Sequence, residues 1–153
     1  MVNFREKMLS FRHLCYKNGY LFAAFLIPVI LMGIAYISFG IYPFGGRSVL
    51  SLDLNAQYVF YFDYVHDVIG NGESLMYSWS RNLSGEFMGI IGYYLASPFN
   101  ILVWIFPRSM ITEGLLTMML AKFGACGVTF ALFAHKSQKL SKTTAALFAP
   151  MYA

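Results

Sequence analysis

The sequence predicts an all-α polytopic membrane protein, and three observations carry that prediction. Hydrophobic residues make up 58% of the chain and charged residues 12%, whereas soluble domains carry about 25% charged residues. Two apolar runs, Tyr20 to Gly40 and Thr112 to Ala134, match the roughly 20 residues that cross a bilayer core. Charge is also segregated. Arg5, Lys7, Arg12 and Lys17 precede the first run, and Lys136, Lys139 and Lys142 follow the second. Asp53, Asp63, Asp67, Glu73, Glu86 and Glu113 lie between these clusters. By the positive-inside tendency both basic clusters are cytoplasmic and the acidic stretch is external. The basic excess therefore sets topology and does not indicate a nucleic-acid partner.

Residues 1–19 read as a basic amphipathic cytoplasmic segment. Phe4, Met8, Phe11 and Cys15 recur at helical spacing, with the cations elsewhere around the helix. Residues 20–40 form the first transmembrane helix, in which Pro28 removes one backbone hydrogen bond. The run is too long for the apolar part of a signal peptide, and Phe39-Gly-Ile-Tyr-Pro-Phe is no cleavage site. Tyr42-Pro-Phe-Gly-Gly46 ends the span with interfacial aromatic residues and a flexible turn.

Residues 41–110 make a long external loop. From Ser51 to Ile69 the pattern is helical, with Leu52, Ala56, Val59 and Phe60 on one face and Gly70-Asn-Gly72 as the stop. Ser51 is a good N-cap, and Asp53 falls in the first turn, where free amides favour a carboxylate. The mixed aromatic and small polar residues after Ser74 suit the membrane surface. Ser97-Pro98 and Asn100 interrupt an apolar run at 90–106. If that run crossed fully, the Lys136–Lys142 cluster would emerge outside. It is therefore read as a juxtamembrane or re-entrant helix. Residues 111–134 form the second transmembrane helix and 135–142 a basic cytoplasmic loop. Residues 143–153 begin a further apolar helix, too short to cross about 30 Å. The expectation is a truncated chain, or one completed by another.

No phosphate-binding glycine loop, zinc motif or nucleophilic triad signature is present. Cys15 and Cys126 suggest no disulfide framework. Asp63, His66 and Asp67, at spacings of three and four, have the types and helical spacing to bind a divalent cation, although a solvated polar face is the commoner use of such a trio. Asp53 has two open readings. As a cap it only starts a helix, which local sequence favours. As a functional carboxylate at the mouth of an apolar span, beside Gln57 and Tyr58, it is placed for proton transfer with a lipid-linked substrate. Lys122 lies inside the second span, where a cation costs about 2.5–3.5 kcal/mol on insertion scales and faces protein or water. It either snorkels to the interface or meets a phosphate or carboxylate.

Asp53-x-x-x-Gln57-Tyr58, Tyr77-Ser78, Gly85-x-Phe87, Tyr93-Tyr94-Leu95-x-Ser97-Pro98-Phe99-Asn100, Phe106-Pro107 and Lys122-x-Gly124 together resemble the start of the YfhO-type bacterial membrane proteins. Those proteins resemble GT-C glycosyltransferases. The likeness covers nearly the whole chain from the first span onward, and its Tyr-Tyr-Leu-x-Ser-Pro-Phe-Asn core is the specific part.

The resemblance implies GT-C-like N-terminal transmembrane helices and an external loop containing juxtamembrane helices. It implies a multi-pass protein of the bacterial cell membrane, N-terminus cytoplasmic. The activity implied is transfer of a sugar from a polyprenyl-phosphate carrier to a cell-envelope polymer such as teichoic acid. Asp53 takes the catalytic place. Gln57, Tyr58, Arg81, Tyr93, Tyr94, Asn100 and Lys122 become substrate-binding candidates, with Arg47, Arg81 and Lys122 available to a phosphate leaving group. A divalent cation is an open possibility as cofactor. Members of the family are several times longer, so the expectation is that these 153 residues are inactive alone. The rival reading is a non-enzymatic transport or assembly component that binds lipid-linked envelope precursors.

Overall fold

A computed structural model describes residues 4–80 and 85–153, with side chains from Asn18 onward. The protein is α-helical with one very short β ladder. Helix α1 spans Phe4–Ser38, and a π-helical turn, Leu54–Tyr58, leads into α2, Val59–Asn71. Strands β1, Tyr77–Ser78, and β2, Gly85–Glu86, pair antiparallel, with Tyr77 opposite Glu86. Then follow α3, Met88–Ile90, a second π-turn, Ile91–Leu95, a 3-10 turn, Pro98–Asn100, and α4, Ile101–Ile105. A 3-10 turn, Arg108–Met110, leads into helix α5, Ile111–Lys136, and helix α6, Lys142–Phe148, is followed by a 3-10 turn at Ala149–Met151.

Among the described residues two helices are long and apolar enough to cross a membrane, Asn18–Ser38 and Arg108–Lys136. Met88–Leu95 and Pro98–Ile105 pass the same test only as a pair, bent by 96° at the break. Sequence explains the bend. Pro98 fixes its own φ and disfavours helix at Ser97, which is extended at ψ 131°. Helix α1 runs without a break from the basic segment into the first span.

The chain forms two compact units. One takes the residues up to Ile34 together with Leu120–Ala153, and the other is Ala35–Met119. The first is built on small residues: Ala24, Ala131, Ala134, Ala145, Ala146 and Ala149 are all buried. Small side chains let helix backbones approach where lipid offers no hydrophobic drive for association. The closest approach is at Gly127, where a Cβ would collide with the carbonyl oxygen of Ala24. Ser141 caps α6, accepting from the Thr144 amide at 3.1 Å.

The second unit has larger core residues. Phe62 and Val65 of α2 meet Phe87, Leu95, Val103, Leu115 and Met118 in one buried cluster. Gly72 ends α2 in the left-handed conformation, φ 72°, and its amide bonds to the Val68 carbonyl at 3.2 Å. The Tyr64 hydroxyl is shared between the carbonyls of Ser74 at 2.8 Å and Tyr77 at 3.0 Å, which ties the β ladder to α2. Near the head of α5, Glu113 accepts from the Tyr42 hydroxyl at 2.8 Å. That bond and the adjacent carboxylate charge raise the Tyr42 pKa above its usual 10.0.

Candidate functional site

Asp53 opens the helical stretch of the second unit, but by a different route from simple capping. Leu52 is left-handed at φ 49°, which displaces Ser51 from the capping position. Asp53 stands there instead, already helical at φ −61° and ψ −29°, and its side chain makes no capping bond. The carboxylate is exposed. Its charge is near enough to act on the Tyr94 hydroxyl.

Tyrosines gather beside it. Tyr94 meets Tyr58 edge-on at 4.9 Å between ring centroids, Tyr93 at 4.6 Å, and Tyr61 at 5.2 Å in a tilted contact. These rings come from α2, from the π-turn before it and from the π-turn at Ile91–Leu95. Asn100 is buried, and its amide nitrogen donates to the Tyr94 carbonyl at 3.2 Å, so it braces the bend that presents Tyr93 and Tyr94. Gln57 is half-buried on the first π-turn. The predicted residues Asp53, Tyr58, Tyr93 and Tyr94 therefore share one region. Lys122 is half-buried on α5 and belongs to the other unit. Arg81 lies outside the described residues.

Two carboxylates of the acidic trio on α2 hold a guanidinium. Arg108 donates from Nε and Nη2 to the two carboxylate oxygens of Asp63, the Nη2 bond at 2.5 Å. Its Nη1 reaches Asp67 Oδ1 at 2.6 Å. A guanidinium fork matches a carboxylate in this bidentate way. Asp63 and Asp67 are one helical turn apart and share that single cation. His66 faces elsewhere, with its Nε2 buried and unbonded. Among the described residues no three His, Cys, Asp or Glu side chains form a group able to hold a metal ion.

Beside this clamp lies a pocket of about 200 Å³. Asp63, Asp67 and Arg108 contribute to it from one side, and Ser78, Ser80 and Phe87 from the β ladder and its flank. Ser78 is 2% exposed, and its hydroxyl lies 3.0 Å from that of Ser80.

Reading the sequence alone misses Arg108 and Ser78. A signal for Arg108 exists. A cation in the first turn of a helix opposes the dipole, so Arg108 ahead of α5 calls for a carboxylate partner. Ser78 stands in the Tyr77-Ser78 pair of the family likeness, but its local pattern gives no sign that it is buried in the ladder tied to Tyr64.

The family described as bacterial membrane protein YfhO matches residues 23–153. No curated protein and no solved structure matches the chain.

Proposed function

The chain belongs to the YfhO family of bacterial membrane proteins, and on that premise we propose that it supplies the first part of a GT-C-type glycosyltransferase. The reaction would move a sugar from a polyprenyl-phosphate carrier to a cell-envelope polymer such as teichoic acid, on the outer face of the membrane. One observation carries the reading. Asp53 presents an exposed carboxylate that caps nothing, on the segment between two candidate spans and beside clustered tyrosines. A carboxylate whose local structural task is unfilled is free for chemistry.

In that role Asp53 accepts the proton of the acceptor hydroxyl as its oxygen attacks the anomeric carbon. The bond from that carbon to the carrier phosphate oxygen breaks, and the polyprenyl phosphate leaves with the electron pair. Charge builds on the departing phosphate, which needs a cation nearby. Lys122, Arg47 and Arg81 are the candidates. Tyr58, Tyr93 and Tyr94 would offer ring faces and hydroxyls to the sugar, Gln57 its amide, and Asn100 would act through Tyr94 as a positioning residue.

The test is Asp53→Asn in the complete protein as encoded in its genome. Expression should be unchanged and envelope glycosylation lost. Normal glycosylation by that variant would remove Asp53 from the mechanism.

A further inference from the structure

We propose that the pocket beside the Arg108 clamp binds one uncharged pyranose ring. Only its place in the reaction, as a second sugar subsite apart from the one beside Asp53, rests on the transferase reading above.

Size is the first argument. At about 200 Å³ the pocket falls below the roughly 300–1,000 Å³ of sites for drug-sized ligands. That space takes about one ring, and any further unit of an oligomer would lie outside it. Polarity is the second. A pyranose has hydroxyls that both donate and accept around its edge, and patches of C–H on its faces. The pocket divides in the same way. Asp63 and Asp67 supply carboxylate oxygens, each with lone pairs beyond those Arg108 uses. Ser78 and Ser80 supply hydroxyls that can donate or accept. Phe60, Tyr61 and Phe87 supply apolar ring surface. Phe60 is 63% exposed, so a flat side chain stands at the rim with little of its area used in the core.

Charge separates this ligand from the obvious alternative. Two carboxylates against one guanidinium leave the pocket with a net negative charge, which repels phosphate and tolerates a neutral polyol. The carrier phosphate therefore belongs elsewhere. Asp53 is not among the residues around this pocket, so sugar recognition here and proton transfer there are separable by mutation.

The experiment uses the complete protein in detergent micelles. Saturation-transfer NMR with methyl glucopyranoside, methyl galactopyranoside and N-acetylglucosamine reads which ring protons contact the protein. At least one pyranoside should show transfer to its C–H protons. The signal should fall at least fivefold in Phe60→Ala and in Ser80→Ala, persist in Asp53→Asn, and resist inorganic phosphate. Both pocket variants alter side chains outside the hydrophobic core cluster, and unchanged circular dichroism would verify their fold. Absence of transfer for all three sugars, equal signals in the Phe60→Ala and native proteins, or displacement by phosphate would overturn the proposal. Failure of sugar binding beside an Asp53-dependent transferase would reject the pocket alone. Pocket binding beside a fully active Asp53→Asn protein would support the pocket and remove Asp53 from the mechanism, whereas pocket binding in a native protein without transferase activity would support the pocket and reject the transferase reading.

Discussion

Arg108 and Asp63 lie 45 positions apart and meet through two parallel hydrogen bonds, from Nε to one carboxylate oxygen and from Nη2 to the other. The pair joins the turn before α5 to the middle of α2. It is half-exposed, and exposed ion pairs contribute little through charge alone. Its value is geometric, because a planar fork fixes both the distance and the angle between the two elements.

That distinction can be measured. Arg108→Lys keeps the charge but loses the fork, so it should behave like Arg108→Ala and not like the native protein. Both variants should melt at a lower temperature, and the gap from the native protein should narrow in high salt as the pair is screened. Recovery of the native melting temperature by Arg108→Lys would show that charge alone is sufficient.

Gly127 has no room for a side chain, since the Ala24 carbonyl occupies the position of its Cβ. Gly127→Val should destabilise the unit containing α6 by about 1–3 kcal/mol, the usual cost of overpacking. Thermal unfolding in detergent would read the change. Gly33→Ala, where a Cβ meets nothing within 4 Å, is the matched control and should be near neutral.

The Tyr42–Glu113 bond gives a pH dependence with a definite sign. The phenol donates only while protonated, and its pKa is raised chiefly by the bond to Glu113 and then by the carboxylate charge. A raised value means that the folded state holds the proton more tightly. The contribution is therefore complete below the ordinary value of 10.0 and is lost as pH rises through the higher folded value. In Glu113→Gln the Tyr42 pKa should fall toward 10.0. The check is the tyrosinate absorbance, with Tyr42→Phe subtracted to isolate this residue. An unchanged titration would remove Glu113 as the cause.

Particular residues show how far the chain could be read without coordinates. The apolar runs and the Gly72 stop announce α1, α5 and the end of α2, because hydrophobic length and a left-handed glycine are local properties. Pro98 announces the break in the 90–106 run for the same reason, though not its 96° angle, which packing sets. The all-α expectation omits the Tyr77–Glu86 ladder. Two-residue strands leave almost no period in sequence, and this ladder is tied to α2 by the Tyr64 hydroxyl. The acidic trio was legible as a polar face by its spacing, but its guanidinium partner was not. Whether two carboxylates take a metal or a guanidinium depends on what arrives from 40 or more residues away, and periodicity carries no information about that.

Leu52 bears on which sequences the position before Asp53 can accept. A left-handed backbone costs an ordinary side chain roughly 1–2 kcal/mol, and this leucine is 88% exposed, so packing within the protein recovers almost none of it. Proline is barred by its fixed negative φ, and valine or isoleucine by branching at Cβ. Glycine, asparagine and aspartate fit at lower cost. A saturation library at this codon should therefore favour those three for folding yield, and the survival of leucine in nature becomes a question of what the surrounding solvent offers its methyl groups.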